Sequence, residues 1–367
     1  MKFSINATEF RNALGAVSKG ADSHSAQPIL AGIFIKAEKD TVTLESTNLD
    51  VSIRCTLPAL IEDEGVAVIP SKLLVDVVKS LPDSAIHIEV EEGSDRAHIL
   101  CETSTFALKL LNAEDFPSFP EITDTNAIHI PFDVFRKMVK RVAKVTSRDE
   151  SRAILTGILI EVINGNIRMV ATDTYRLAIT EAPFAGDIDE FSVVIAGSFM
   201  QDLAALPFTS NEIELSVAEN QVIIHYASTT FISRRIEGNF PPYNQLIPDS
   251  YQTKVTFTTK QLLDAVKRTS LLSNRTAPLK LDCHKESQTT LVSTATQDIG
   301  TANETLHSEI EGEDVEIAFN FGYTIEGLTS VESDKVFLEL QGSQRPGIFK
   351  ADSAEPFLYL IMPIRLQ

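Results

Sequence analysis

The sequence predicts an α+β protein of three tandem similar domains, each made of two helix-plus-antiparallel-sheet units. Three features support this: a long internal repeat, single amphipathic helices separated by runs of short strands, and proline-bearing links between the copies. A repeat of this length is too long for a solenoid and has the size of a domain. We therefore expect domains at residues 1–120, 128–248 and 249–367.

The repeat keeps its register over long stretches. A shift of 125 residues places 29–33 (ILAGI) under 154–158 (ILTGI) without a gap. A shift of 127 residues places 139–141 (VKR) under 266–268 (VKR). The third copy is looser after its helix, but three copies of this length nearly fill the 367 residues.

Each copy divides into two halves, and a strand followed by a helix opens each half. Short alternating or β-branched strands follow each helix, separated by turn residues such as 164–166 (NGN). One helix for each run of strands indicates antiparallel sheets. The expected helices are 8–20, 71–81, 131–145, 198–206, 259–272 and 321–331.

The helix predicted at 131–145 is strongly amphipathic. Pro131 suits a helix start, and Asp133 in the first turn favours the helix dipole. At about 100° per residue, the apolar side chains share one arc and the basic ones share the opposite arc. The apolar arc holds Phe132, Phe135, Met138, Val139, Val142 and Val145. The basic arc holds Arg136, Lys137, Lys140, Arg141, Lys144 and Arg148.

The charge of the chain is unevenly distributed. The formal net charge is −19, which taken alone argues against nucleic-acid binding. The six predicted helices nevertheless carry twelve basic and six acidic residues, a net charge of +6, and the remainder carries −25. If all the helices lie on one side of the repeated architecture, that side attracts a phosphate backbone while the other side repels it.

Motifs typical of catalysis or metal binding are missing from the sequence. It has no Walker loop, no G-x-G-x-x-G, no H-E-x-x-H, no EF-hand loop and no G-x-S-x-G, and its histidines lack ligand-like spacing. The three cysteines are scattered in apolar contexts, which favours reduced thiols in a cytoplasm. We therefore expect a binding or structural protein with no enzymatic activity, cofactor or metal.

Two stretches differ from ordinary strands. Residues 171–178 (ATDTYRLA) are polar in the middle of a strand-like run. The C-terminus, 358–367 (LYLIMPIRLQ), is apolar, but Met362 and Pro363 interrupt strand pairing. An apolar surface that contains Met and is interrupted by Pro suits a site that accepts varied peptides.

These stretches, together with 237–248 (EGNFPPYNQLIP) and the three-domain repeat, resemble the family of bacterial sliding clamps, the beta subunits of DNA polymerase III. The resemblance covers the whole chain. It implies the DNA clamp fold and a closed ring formed by a head-to-tail homodimer, with helices lining a hole for duplex DNA. Such a clamp holds DNA by topology and screened charge, without reading the base sequence, so sliding along the duplex costs little free energy.

The resemblance also implies partners and a place of action. The clamp would tether the replicative polymerase alpha subunit, other polymerases and repair proteins through short linear peptides, and so confer processivity. A clamp loader complex would open the ring. Localisation would be cytoplasmic and associated with the nucleoid.

The resemblance assigns candidate sites residue by residue. A partner-peptide pocket between the second and third domains would be formed by Leu155, Thr172, Tyr175, Arg176, Leu177, Pro241, Leu246, Asn320, Tyr323, Leu360, Met362, Pro363, Ile364 and Arg365. The dimer interface would pair Phe106 and Leu108 with Leu271 and Leu272. Without the resemblance, Leu155, Leu177 and Leu246 would be read as ordinary core residues.

The candidate DNA-binding residues combine the helix charges with the family positions. They are Arg11, Lys19, His24, Lys72, Lys79, Arg136, Lys137, Lys140, Arg141, Lys144, Arg148, Arg152, Lys267 and Arg268. Two features depart from the family pattern. His24 stands where members often have a basic residue, and Asp149 and Glu150 lie beside Arg148 and Arg152.

Two other functions remain open at the level of the sequence. One is an acidic partner-binding scaffold that never encircles DNA, which a monomeric state with intact peptide binding would favour. The weaker one is an α+β hydrolase, which would need a deep polar cleft with converging titratable groups.

Overall fold

The protein is described here by a computed structural model that covers residues 1–122, 127–184, 190–273, 278–296, 299–353 and 355–365. Within these residues the chain folds as two compact units. Unit 1 comprises Met1–Phe135 and Ala205–Arg235, and unit 2 comprises Arg136–Ala204 and Ile236–Gln367. The last two residues of the apolar C-terminus, 366 and 367, lie outside the described part.

Each of the six predicted helices is present. They are α1 (Ala7–Val17), α2 (Ser71–Ser80), α3 (Phe132–Val142), α4 (Gly197–Ala204), α5 (Thr259–Thr269) and α6 (Phe321–Ser330). Single 3-10 turns extend the helices that open the three copies, at Ser18–Gly20, Ala143–Val145 and Ser270–Leu272. None of the helices in the described ranges has the length and apolarity needed to cross a bilayer.

Side-chain caps fix two of the helix starts. The side chain of Asn6 accepts hydrogen bonds from the backbone N–H groups of Thr8 and Glu9, at 2.9 and 3.1 Å, before α1. Asn320 accepts one from the N–H of Tyr323 at 3.0 Å before α6. These side chains satisfy backbone donors that the first turn leaves without helical partners.

Unit 1 contains two antiparallel sheets. The five-stranded sheet runs, in spatial order, Leu60–Asp63, Lys2–Asn6, Ala85–Glu89, Arg96–Cys101 and Ser104–Lys109. The eight-stranded sheet runs Ala127–Pro131, Glu212–Val217, Gln221–Tyr226, Thr229–Arg234, Val51–Pro58, Thr41–Thr47, Gly32–Glu38 and Gly65–Pro70.

Unit 2 repeats this plan. The nine-stranded sheet runs Phe191–Ala196, Gly157–Ile163, Asn166–Thr172, Arg176–Pro183, Phe357–Ile361, Gly347–Ala351, Lys335–Leu340, Thr253–Thr258 and Glu309–Glu311. The four-stranded sheet runs Gly300–His307, Thr289–Thr296, Pro278–His284 and Val315–Asn320. All of these pairings are antiparallel, as the sequence predicts.

Equivalent strand pairs join successive repeats inside the two large sheets. In unit 1, Val51–Pro58 pairs with Thr229–Arg234, and in unit 2, Arg176–Pro183 pairs with Phe357–Ile361. We call these pairs the first and second seam. The strands of the central repeat are thus divided between the two large sheets, some in each. The domain limits drawn from the sequence remain a prediction.

The apolar arc predicted for α3 is confirmed, because all six of its side chains are buried. In unit 1, the Phe132 ring packs on Tyr226 with ring centroids 4.1 Å apart. In unit 2, Tyr359 is fully buried beneath α6. Gly327 of α6 makes this approach possible, because a Cβ there would lie 2.6 Å from the Tyr359 ring.

Candidate functional site

A tight turn projects from the nine-stranded sheet between Thr172 and Arg176. The Thr172 hydroxyl donates to the Arg176 carbonyl at 2.8 Å, and the Asp173 carboxylate accepts from the N–H groups of Tyr175 and Arg176, each at 3.0 Å. Thr174 adopts a φ of +77°, an uncommon conformation for a residue with a side chain. The turn therefore holds Tyr175 outward, where 62% of it is exposed.

The C-terminal strand lies directly beside this turn. Leu360 pairs with Leu177 across the second seam, and the Met362 N–H donates to the Tyr175 carbonyl at 2.9 Å. The next bond follows at Ile364, whose N–H donates to the Ala318 carbonyl at 2.8 Å. The final residues are thereby tied to the turn and to the strand that precedes α6.

The candidate pocket residues divide into a covered floor and an exposed rim. Leu155, Leu177 and Leu360 are buried, as is Thr172. Leu177 and Leu360 belong to one apolar cluster with Tyr243, against which Phe240 and Ile247 also pack. We call the exposed candidates Tyr175, Leu246 and Met362 the rim; Leu246 is 50% and Met362 42% exposed. Leu155 and Leu177 thus lie in the core, whereas Leu246 does not.

Arg176 lies beneath the turn and supports it. Its guanidinium pairs with Asp173 at 2.9 Å and with Glu326 of α6, and it donates to the Lys144 carbonyl at 2.8 Å. It also stacks 4.2 Å from the centroid of the Tyr323 ring. The side chain is buried. Through these contacts it links the turn to α6 and to the end of the first helix of the central repeat.

A buried tyrosine completes the support under Arg176. The Tyr359 hydroxyl donates to the Tyr323 carbonyl at 2.9 Å and accepts from Arg176 at 3.3 Å. Burial raises the pKa of the Tyr359 phenol, so it remains a neutral donor at physiological pH. Among the predicted pocket residues, Tyr323 is therefore joined to Thr172 and Tyr175 through Arg176.

The other predicted pocket residues differ in exposure and in hydrogen bonding. Asn320 is the cap of α6, and Pro241 accepts the Tyr243 N–H at 2.7 Å through its carbonyl. Pro363 and Ile364 are half-buried, and Arg365 is exposed. Asn320 and Pro241 thus shape the backbone around the candidate pocket.

The predicted cationic face of α3 is only partly free. Lys140 and Lys144 are exposed and make no ion pair among the described residues. Lys137 is half-buried, and its Nζ lies 2.6 Å from the Glu355 carboxylate. Lys137 and Arg141 lower the pKa of that carboxyl, chiefly through the hydrogen bond from Lys137. Lys137 is therefore partly neutralised, and Lys140 and Lys144 carry the free charge.

The assignment of Arg141 to the exposed basic face is wrong. Arg141 is only 2% exposed, because it lies at the margin of the basic arc and turns into the second seam. Its guanidinium lies 3.1 Å from Glu355 and 3.8 Å from Glu332, and 5.4 Å from the centroid of the Phe357 ring. The Nη1 group is also 3.5 Å from the Thr180 hydroxyl. Arg141 therefore packs inside unit 2 and is not available to a phosphate.

The space that Arg141 fills has an open counterpart in unit 1. By the 125-residue repeat, Arg141 corresponds to Ala16 and Thr180 to Cys55. Ala16 and Cys55 line a cavity of about 280 Å³ at the first seam, together with Thr229, which corresponds to Phe357 by strand register. The two seams thus share a backbone plan and differ in side-chain filling.

Arg11 and Arg136 occupy equivalent positions and make equivalent bonds. Arg11 donates to the Leu81 carbonyl at 3.2 Å, and Arg136 donates to the Ala204 carbonyl at 3.0 Å. Both are half-buried. Each guanidinium therefore satisfies a carbonyl at the end of a neighbouring helix, where a positive charge is favoured.

The remaining predicted DNA-binding residues lie at the surface. Arg268 is exposed but pairs with Glu304, with 3.0 Å from Nε to the carboxylate, and this hydrogen bond lowers the pKa of Glu304. The others are also exposed: Lys19, His24, Lys72, Lys79, Arg148, Arg152 and Lys267.

The predicted dimer residues lie in an edge strand of unit 1 and in a 3-10 turn of unit 2 that packs beside the edge strand Gly300–His307. In unit 1, Phe106 and Leu108 are half-buried in Ser104–Lys109, the edge strand of the five-stranded sheet. In unit 2, Leu271 is 80% exposed in the 3-10 turn after α5, and Leu272 is half-buried. Leu271 is the most exposed large apolar side chain among the described residues.

Comparison with known families identifies the three domains of the chain. Three models of the DNA polymerase III beta subunit match the chain in order: the N-terminal domain at residues 1–120, the central domain at 129–242 and the C-terminal domain at 244–365. The chain belongs to the DNA polymerase III beta subunit family. The expected family is thereby confirmed over nearly the full length.

Full-length relatives and solved structures agree with this family membership. The beta sliding clamps of Bacillus subtilis and Streptomyces coelicolor are 30% and 28% identical, with each chain covered completely. The crystal structure of the sliding clamp from Bacillus subtilis superposes with a TM-score of 0.94 at 29% identity, again over all of both chains. A sliding clamp from Pseudomonas aeruginosa bound to griselimycin has a TM-score of 0.91 at 26% identity over the same coverage. The DNA clamp fold and the sliding-clamp function predicted from the sequence are confirmed.

Sequence reasoning missed several residues that support the candidate pocket. Glu326 and Tyr359 hold Arg176, and Tyr243 is fixed by Arg168 and Glu161. A signal was present for the two tyrosines, because each lies among apolar or proline residues, and a buried phenol needs a hydrogen-bond partner. Nothing in the sequence pattern identifies which charged residue would supply that partner.

Proposed function

We propose that two copies of this chain associate head to tail into a ring that encircles duplex DNA and tethers the replicative polymerase and other replication and repair proteins. The observation that carries the proposal is the ordered match of all three clamp domains over the chain. A clamp loader complex would open and close the ring. We infer that the chain has no catalytic role and works in the cytoplasm with the nucleoid.

The exposed lysines of the α3 region support the proposed DNA contact. Lys140 and Lys144 are exposed and free of ion pairs among the described residues, so they keep their full charge for phosphates. Lys267, the repeat equivalent of Lys140, is exposed at the corresponding position of α5. Contacts of this kind hold the backbone without reading bases, which is compatible with sliding.

The exposed rim beside the C-terminal strand supports the proposed peptide pocket. Tyr175, Leu246 and Met362 offer apolar surface around buried Leu177 and Leu360. Leucine and phenylalanine anchors of a partner peptide would bury their area there, at about 25 cal/mol per Å². Because Leu177 and Leu360 are only 1% and 2% exposed, the proposed pocket requires neighbouring side chains to move aside.

The proposed ring contact rests on two strands that, among the described residues, have a free sheet edge. Ser104–Lys109 ends one sheet of unit 1 and Gly300–His307 ends one sheet of unit 2. Exposed Leu271, in the turn after α5, would gain a buried environment in such a contact. A head-to-tail contact that closes on itself produces a ring.

A topological assay tests this function. The protein is loaded onto nicked circular DNA with a compatible clamp loader and ATP, free protein is removed, and half of the sample is linearised in high salt. Release from linear DNA with retention on circular DNA is the expected result. Equal release from both would mean ordinary electrostatic binding and would favour the acidic scaffold. A clamp of known activity with the same loader is the control.

A further inference from the structure

A second concave surface adjoins the candidate peptide pocket on the nine-stranded sheet. It encloses about 310 Å³, and we call it the flanking groove. The residues that matter here are Ile179, Tyr243, Asn244, Ile247, Lys350 and Leu358. A volume at the small end of the range for ligand pockets fits one or two side chains.

The flanking groove is continuous with the candidate pocket. Leu177 pairs with Leu360, and two residues further along the same strands Ile179 pairs with Leu358. Residues two apart on a strand point to the same face, so both pairs present their side chains to one surface. Tyr243 of the groove lies in the same apolar cluster as Leu177 and Leu360. The pocket floor and the groove are therefore neighbours along one face of the same two strands.

The charges along the groove are already paired. Arg168 lies 2.7 Å from Glu181, and Lys350 lies 2.7 Å from Glu339. A charged ligand group would have to compete with these partners for little gain. The apolar side chains of Ile179, Ile247 and Leu358 are the groups that gain from an occupant, so the groove favours a neutral, apolar side chain.

A hydrogen-bonded tyrosine keeps one wall of the groove in place. The Tyr243 hydroxyl donates to Glu161 at 2.5 Å and accepts from Arg168 at 3.0 Å. Burial, followed by the bond to Glu161, raises the pKa of Tyr243 to about 12. The two hydrogen bonds hold the phenol in place, so this wall of the groove is formed before any ligand arrives.

We infer that the flanking groove binds an apolar residue that flanks the anchor motif of a partner peptide, extending the contact beyond the pocket along the seam. The inference rests on the proposed peptide pocket. The four residue steps from Leu177 to Glu181 span roughly 14 Å along the strand, so an extension of about four residues reaches the groove. Burying one such side chain strengthens binding about tenfold.

Fluorescence anisotropy with labelled synthetic peptides tests the inference on the full chain. The parent peptide carries only the leucine and phenylalanine anchors. Two longer peptides add Ser-Ser-Leu-Ser at one end or the other, and two controls add four serines. One leucine-bearing extension is expected to bind about tenfold more tightly than its serine control.

A matched pair of variants locates the gain. Asn244 and Gln245 are neighbours, both exposed in the turn Tyr243–Leu246, but only Asn244 lines the groove. Asn244→Trp is expected to fill the groove and abolish the tighter binding of the leucine-bearing extension, whereas Gln245→Trp is expected to leave that tighter binding unchanged. The parent peptide is expected to bind both variants equally.

The outcomes separate this inference from the proposed function. If the parent peptide binds and neither extension strengthens binding, the groove is not used. If a gain survives in Asn244→Trp, the extension binds elsewhere, and the inference is again overturned. If the parent peptide does not bind at all, the proposed pocket fails, and the groove as its extension fails with it.

Discussion

Because the guanidinium of Arg141 is buried, two substitutions at this position are expected to change the free energy of unfolding by different amounts. Arg141→Ala removes a buried side chain from the second seam, and truncations of this kind cost about 2–5 kcal/mol. Arg141→Met keeps most of the volume and removes the charge. We expect the alanine variant to lose about 2–3 kcal/mol and the methionine variant to stay within about 1 kcal/mol of the parent.

The reason lies in how Arg141 is paired. Breaking a fully buried ion pair costs about 3–5 kcal/mol. However, the side chains of Glu332 and Glu355 remain 43% and 48% exposed, so water solvates them when the partner is gone. The ionic contribution then falls towards the surface value of up to about 1 kcal/mol. The Nε and Nη2 groups of Arg141 are buried without hydrogen-bond partners among the described residues, and methionine removes that penalty.

The assay must suit a chain without tryptophan that folds in more than one unit. Urea unfolding followed by far-UV circular dichroism gives the overall effect, and hydrogen exchange of the strand Arg176–Pro183 reports on the second seam itself. If Arg141→Met loses as much stability as Arg141→Ala, the ion pairs contribute net stability and the reasoning is refuted. Retention on circular DNA should be unchanged in Arg141→Met.

Three further expectations follow from the same side chains. Replacing Lys140 and Lys144 by alanine should weaken retention on DNA and make the slope of log K against log salt concentration shallower by roughly 0.9 for each phosphate that is no longer neutralised. Lys137→Ala should have a smaller effect, because the charge of Lys137 is already paired with Glu355. An equal effect of both changes would contradict this. Ala16→Met should partly fill the cavity at the first seam and stabilise unit 1 by about 1 kcal/mol in urea unfolding, and a loss of stability would show that the cavity cannot accept the side chain. Because the pKa of Tyr243 is raised from 10.0 to about 12, its stabilising contribution is complete below pH 10 and is lost as the pH rises towards 12; Tyr243→Phe should flatten that part of a pH–stability profile, and an unchanged slope would assign the effect to another group.

Much of the fold was determined by the sequence alone. The repeat, the six helices and the antiparallel strands follow from periodicities that depend on local geometry, so the helical pattern by itself places Phe132 and Phe135 in the core. The exposed positions of Tyr175 and Met362 also agree with the polar and proline-interrupted stretches that contain them.

Only the tertiary structure determined the burial and the interaction partners of the charged residues. A helical pattern gives the direction of Arg141 from its own helix, but it cannot show that Glu332 and Glu355 lie at the margin of that face. It likewise places Arg11 and Arg136 on a basic surface, although the carbonyls of other helices capture both. Local periodicity determines which way a side chain points. Only the packing of distant segments determines what it meets there, because the free energy of a charge depends on its burial and on its partners.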